Sequence, residues 1–236
     1  MEPLSPFLVG GPAYSGTTLL ALLCNGPGSV CLDEPDFEKP EQAHRGMPVL
    51  QRLCPDAILP AAPTRVLTLA EAFDLSRECA AAVRPATFGF KTCSDTFIWY
   101  ARLFRDAGLP VIAIVRDVRD ALVAPLPPWL TEELLVGRYQ RVWNHLWLTS
   151  AWVRYEDLVH HPRTALATIS AALGVEGLDR TSWDPDEVTG AMVKAERHEL
   201  LRSGALTADR VGIWRDSGRT FSSVAHETAL LMGYDP

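Results

Sequence analysis

Lysine is scarce: the 236-residue chain holds three, Lys39, Lys91 and Lys194, so every other permanent positive side-chain charge is an arginine. Positive charge as a whole is short too, with 22 Lys+Arg against 29 Asp+Glu and a formal net charge of −7. A nucleic-acid backbone meets repulsion on average, so no nucleic-acid partner is expected, whereas a small anion needs only a local cluster of donors. No apolar run approaches the roughly 20 residues that cross a bilayer, and no membrane partner is expected. Met1-Glu2-Pro3 lacks the basic end and apolar stretch of a secretory leader, which makes the cytoplasm the expected compartment. The five cysteines, Cys24, Cys31, Cys54, Cys79 and Cys93, form no C-x-x-C pair and read as buried or idle thiols rather than disulfides or a zinc site. The six histidines, His44, His145, His160, His161, His198 and His226, show no metal-ligand spacing, and no metal is implied. His160-His161, just before Pro162, read as a surface helix entry.

What remains is the balance of an ordinary globular protein, 47% hydrophobic and 22% charged, long enough to bury one sizeable core. Phe7-Leu8-Val9 reads as a buried strand, and Thr17 to Leu23 as the helix that follows. Val30-Cys31-Leu32 and Phe88-Gly89-Phe90 are further strand candidates, the second leading into Lys91. Val111-Ile-Ala-Ile-Val115 is the clearest strand, and Ala151-Trp-Val153 the last. Helices are expected from a Thr68/Glu71 capping box to about Val83, after a Ser94 or Asp95 cap, after a Thr131 cap, over Pro162–Leu173, and from about Ser223 to Met232. The segment 35–63, rich in proline and charge, is expected to be a long lid loop with at most short helices. Strands alternating with helices predict an α/β fold: a single P-loop-like domain over 1–236, its central, mainly parallel sheet flanked by helices. Core packing is the expected role of tryptophans such as Trp143, Trp147 and Trp152.

The sharpest motif is Gly11-Pro-Ala-Tyr-Ser-Gly16-Thr17-Thr18, placed between a strand and a helix as a phosphate loop requires. Gly11 and Gly16 let the backbone turn tightly and approach an anion. Amides at the helix start then point at it, and Ser15, Thr17 and Thr18 can add hydroxyl donors. A nucleotide-hydrolysing loop would carry lysine where Thr17 stands, which counts against ATP or GTP.

Gly10-Gly-Pro-Ala-Tyr-Ser-Gly-Thr-Thr-Leu-Leu20 resembles the 5′-phosphosulfate loop of sulfotransferases, above all the G-G-x-P-R-S-G-T-T-L of the tyrosylprotein type and related bacterial enzymes. Four later segments resemble the same family in order: Phe90-Lys91-Thr92, Val115-Arg-Asp-Val-Arg-Asp120, Val153-Arg-Tyr-Glu-Asp-Leu158 and Arg210-Val-Gly-Ile-Trp214. The resemblance implies an enzyme that moves a sulfuryl group from 3′-phosphoadenosine-5′-phosphosulfate (PAPS) to a hydroxyl or amine of a small-molecule acceptor, with no metal. It implies that Gly11, Tyr14, Ser15, Gly16, Thr17 and Thr18 hold the 5′-phosphosulfate, Arg116 the 3′-phosphate, and Arg210 and Gly212 the 3′-phosphate and adenine. Lys91 would assist departure of the leaving group, and Glu34 would take the acceptor's proton, with Asp33, Asp36 and His44 as alternative bases. Arg116 also ends a buried strand, where α/β sheets place ligands, while Arg119 reads as structural and Arg154 with Glu156-Asp157 as a salt-bridged turn. The arginine bias suits a bacterial tailoring enzyme.

Three positions depart from that pattern, the first being Ala13 in place of the loop proline. Tyr14 stands where the family carries lysine or arginine, and Ala124 where it carries a serine on the 3′-phosphate. They keep two other readings in play: a repurposed or non-catalytic relative that binds another anion or a protein partner, and a nucleotide-dependent phosphotransferase.

Overall fold

The computed structural model describes residues 6–26, 28–35, 37–38, 40–84, 86–183 and 204–236. Lys39, Lys194, Asp36 and His198 lie outside them. Five strands, β1 (Phe7–Gly10), β2 (Ser29–Asp33), β3 (Thr87–Lys91), β4 (Val111–Val115) and β5 (Ala151–Arg154), form one all-parallel sheet in the order β2-β3-β1-β4-β5. The expected α/β architecture with a central parallel sheet is therefore present.

β1 to β4 bury both faces, and alternation divides the strand residues between two cores. Leu8, Val30, Leu32, Phe88, Phe90, Val111 and Ala113 point one way, into a core rich in phenylalanine. Phe7, Val9, Cys31, Ile112, Ile114 and Val153 point the other way. The first core is closed by α2 (Pro40–Leu53), α3 (Leu69–Ala82) and α4 (Ser94–Asp106), the second by α1 (Thr17–Leu23) and α8 (Pro162–Leu173). A third apolar cluster joins α5 (Val118–Val123), α6 (Glu132–Trp143) and the last helix, here α9 (Ser223–Leu231). A short helix, α7 (Tyr155–His160), follows β5 directly.

Several expectations change. The segment 35–63 is not merely loop, because α2 runs for 14 residues through it despite Pro48. Ala43, Met47 and Leu50 recur at helical spacing and are buried in the first core, and that burial outweighs the poor propensity of Gly46 and Pro48. The N-cap of α4 is Cys93, without a side-chain cap, because Ser94 is turned elsewhere. Arg154 and Glu156-Asp157 do not make a salt-bridged turn. They open α7, where Arg154 donates to the Met232 carbonyl and lies over the Tyr234 ring, while Glu156 accepts from Asp117 N and Tyr234 Oη. Trp147 and Trp152 are not core residues, being 62% and 40% exposed: Trp147 lies in a short 3-10 turn before β5, and Trp152 on β5 itself, an edge strand. Trp143 is half-buried and meets Trp152 edge to face. Among the described residues, no helix is long and apolar enough to cross a membrane.

Candidate active site at the strand ends

In a parallel sheet every strand delivers its C-terminal end to the same rim, and ligands bind there where the connections diverge. Here β1 is central, with β3 and β2 on one side and β4 and β5 on the other. Gly10, Asp33, Lys91 and Val115 end β1, β2, β3 and β4. The candidate residues follow at once: the loop after Gly10, Glu34 after Asp33, and Arg116 after Val115. Val9 and Asp33 both pair in register with Lys91, which brings the loop and the acidic strand end beside the lysine.

The loop is braced from three sides. A Cβ at Gly11 would lie 2.1 Å from the Ile114 carbonyl oxygen, so only glycine lets β1 leave the sheet this close to β4. Ser94 N donates to the Gly11 carbonyl (2.8 Å), and Ser94 Oγ accepts from Ala13 N (3.2 Å). The fully buried Ser15 hydroxyl donates to the carbonyls of Pro12 (2.8 Å) and Ile114 (3.1 Å). It ties the loop to β4 instead of facing an anion, as the sequence had suggested.

Gly16 caps α1 in the left-handed conformation, against the Tyr155 ring. No side chain caps the helix, so its first-turn amides have neither an intrahelical partner nor a side-chain acceptor. Thr17 is buried, and the Thr18 hydroxyl donates to Asp33 Oδ1 (3.1 Å). Tyr14 packs against the third apolar cluster and carries no charge to the loop.

Beside the loop, the Lys91 ammonium is shared between Asp33 Oδ1 (2.9 Å) and Glu34 Oε1 (2.7 Å). Lys91 and Asp33 are buried, and Glu34 is half-buried. Burial disfavours the lysine's charge, but Asp33, Glu34 and Cys93 outweigh it and hold the ammonium well above the usual lysine range. Cys93 Sγ donates to the same Glu34 oxygen (3.5 Å), a contact sequence reasoning missed. His44, an alternative base, is exposed on α2.

Arg116 is buried on the other side of the loop. Its guanidinium lies 4.5 Å over the Tyr155 ring, which also touches Gly16, so Tyr155 fills the space between loop and arginine. Arg116 Nη2 donates to the Arg210 carbonyl and lies 3.7 Å from Asp120 Oδ2, while its buried Nε has no partner among the described residues. Asp120 also accepts from Gly212 N (2.8 Å) and Trp214 N (3.1 Å), which anchors the segment around Arg210 to α5. Burial pushes the Asp120 carboxyl up, against the pull of Arg116 and these two amides. Arg119 is fully buried, clasped by Asp117 and stacked on Trp214 (3.8 Å).

The structure thus gathers Gly11 to Thr18, Glu34, Lys91 and Arg116 at one rim and brings the backbone of Arg210 and Gly212 to it. Sequence reasoning did not find Ser94, Cys93, Asp120 or Tyr155 as parts of it. Asp120 and Tyr155 lay inside the quoted family segments, whereas Ser94 and Cys93 gave no signal beyond following a strand end.

No protein-family model matches the chain, and no curated protein sequence matches it either. Solved structures do. The sulfotransferase domain of the Synechococcus PCC 7002 olefin synthase aligns over 98% of this chain and 95% of that one, with a TM-score of 0.59 and 16% identity. Looser matches include mouse sulfotransferase SULT7A1 complexed with PAP (3′-phosphoadenosine-5′-phosphate), at TM-score 0.46 and 14% identity over 94% of this chain and 81% of that one. Retinol dehydratase in complex with retinol and PAP follows at TM-score 0.43 and 15% identity, over 100% and 83%. The five-stranded parallel sheet flanked by helices has, on the first of these likenesses, the sulfotransferase fold.

Proposed function

We propose that this chain is a PAPS-dependent sulfotransferase acting on a hydroxyl or amine of a small molecule. The observation that carries the reading is the Lys91–Glu34 pair, 2.7 Å apart at adjacent strand ends beside an uncapped helix start. Sulfuryl transfer needs an anion cradle, a cation for the departing oxygen and a base for the acceptor, and these groups supply one of each.

Two points of the site fit an anionic nucleotide: the free amides that open α1, and Arg116, whose buried Nε lacks a partner among the described residues. The amides of Gly16, Thr17 and Thr18, with Gly11 and Tyr14 shaping the loop, would hold the 5′-phosphosulfate. Ser15 would contribute by bracing. Arg116, with Arg210 and Gly212, would hold the 3′-phosphate end. PAPS, when bound, supplies the sulfuryl group and a stable leaving group. Lys91 Nζ donates hydrogen bonds where negative charge grows, and Glu34 Oε1 accepts the acceptor's proton. With Thr17 in place of a loop lysine, a triphosphate lacks its usual partner, which disfavours phosphoryl transfer.

Two observations favour a second reading, a sulfotransferase fold kept for another anion or for a protein partner. Arg116 already bonds the Arg210 carbonyl and faces Asp120, and Tyr14 leaves the loop without its basic side chain.

Calorimetric titration with PAP, the product of PAPS, and with ATP as control separates the two. Sulfuryl transfer predicts micromolar PAP binding, little response to ATP, and affinity weakened roughly 10- to 100-fold in Arg116→Ala, as for loss of a charge-assisted hydrogen bond. Absence of PAP binding in the wild-type protein would retire the donor assignment and leave the second reading.

A further inference from the structure

Glu34, Lys91 and the loop have places in the proposed reaction, but Asp33 does not, although it is the hub of the cluster. It is 3% exposed, and a single oxygen, Oδ1, accepts from both Lys91 Nζ (2.9 Å) and Thr18 Oγ1 (3.1 Å). Asp33 therefore joins the first turn of α1 to the cation beside the base. Two carboxylates share one ammonium, so the Asp33–Lys91–Glu34 group carries a formal charge of −1 next to a loop built for an anion.

An ammonium facing Glu34 alone would hold that carboxylate firmly ionised and make it a poor proton acceptor. It would also turn its full field on an anion in the loop. A second carboxylate on the same ammonium reverses both effects: Glu34 stays more basic and the anion is held less tightly. Cys93 Sγ meets Glu34 from the start of α4, and the nearby Glu38 carboxylate is taken by Tyr100 Oη (2.9 Å), so neither replaces Asp33 in this balance.

We infer that Asp33 is a positioning residue that divides the Lys91 charge between donor and base, lowering affinity for the anionic nucleotide and keeping Glu34 able to accept a proton. This rests on the sulfotransferase reading of the same site. It goes beyond that reading by assigning opposite signs to two effects of one side chain.

Asp33→Asn tests it, because asparagine keeps an oxygen for Thr18 and Lys91 while removing the charge. The expected result is tighter PAP binding by about tenfold, as for removing one negative charge from near an anion site at intermediate screening. A merely structural role predicts the reverse, weaker binding together with a lowered Tm. Asp33→Ser, a smaller neutral side chain, should also tighten PAP binding and serves if the asparagine variant does not fold.

A wild-type measurement needs no Asp33 variant at all. With three lysines in the chain, the ammonium resonance of ¹⁵N-labelled Lys91 is assigned by its loss in Lys91→Met. It should shift when PAP is added, as the ammonium turns part of its hydrogen bonding to the ligand. Wild-type protein that binds no PAP overturns the donor reading and this inference with it. Wild-type binding with unchanged or weaker affinity in the folded Asp33 variants overturns this inference alone, whereas a Lys91 resonance that ignores PAP overturns it together with the role of Lys91 in the proposed reaction.

Discussion

Tyr14, Glu34 and Ser94 hold φ at 71°, 45° and 56°, a backbone region normally left to glycine, and each lies at the rim of the same site. Such residues cost roughly 1–3 kcal/mol apiece and persist only where the surroundings over-determine them. Here the surroundings can be named. Ser94 is held by Gly11 O and Ala13 N, Glu34 by Lys91 through its amide (to Lys91 O, 3.1 Å) and its carboxylate, and Tyr14 by the third apolar cluster. Gly16 shows the opposite solution, with φ at 96° and no side chain. Alanine there would set its Cβ 2.6 Å from Tyr155 Cδ2 as well as strain the backbone. Gly16→Ala should destabilise by about 2–4 kcal/mol, the sum of left-handed strain and overpacking. For a chain of this length that is a Tm fall of roughly 5–15 °C in a thermal scan. A Tm within a degree or two of wild type would mean that the Tyr155 ring gives way freely. It would then be no fixed wall between loop and Arg116.

At the scale of elements, local signals and tertiary contacts divided the work. The capping box of α3 is complete: Thr68 Oγ1 accepts from Glu71 N, and Glu71 Oε2 accepts from Thr68 N (2.8 Å). Thr68→Ala should cost about 1 kcal/mol in a denaturant titration, with the slope unchanged, because α3 keeps Ala72, Leu75, Cys79 and Ala80 buried. A change in slope would instead show α3 unfolding apart from the sheet. Elements with such local signatures were legible in the sequence. β1, α1 and β4 could be read from apolar runs bounded by breakers, as buried parallel strands and their helices allow. α5 and α7, six residues each, are too short for a period to show. α2 was hidden by Gly46 and Pro48, because only its docking against the phenylalanine-rich core makes it worth forming. The site divides likewise. The loop, Lys91 and Arg116 stand at strand ends, and chain order finds them. The brace from Ser94 to Ala13 spans 81 residues, and the hold of Asp120 on Gly212 spans 92, so neither could be read without the fold.

Over the whole molecule, the scarcity of lysine makes the alkaline limit of stability readable. Arginine does not titrate in the accessible range, and the chain has three lysines, five tyrosines and five cysteines. Lys91 is raised above its ordinary 10.5, its two carboxylates outweighing burial. Tyr139, Tyr155 and Tyr234 are raised above 10.0, chiefly by burial of a phenol that would have to become an anion. In all four the native state holds the proton more tightly than the unfolded chain does. Their contribution to stability is therefore complete below about pH 10 and is lost as pH rises through the native values. Burial raises the thiols of Cys24, Cys31 and Cys79 above 9.0 as well, so shifts of one sign accumulate into a cooperative alkaline transition rather than a gradual decline. Tm should change little between pH 7 and pH 9 on their account and fall steeply above about pH 10. Tyr234→Phe should make that fall shallower: it keeps the ring under Arg154, removes the ionising group, and loses one hydrogen bond to Glu156. Lys91→Met should also reduce the slope, and unlike Tyr234→Phe it should abolish PAP binding. Thermal scans at half-unit pH steps decide the matter. If Tm holds through pH 11, the buried phenols and Lys91 are not locked in the native state as their partners imply. The ion-paired core beside the loop would then open to solvent well before the fold is lost.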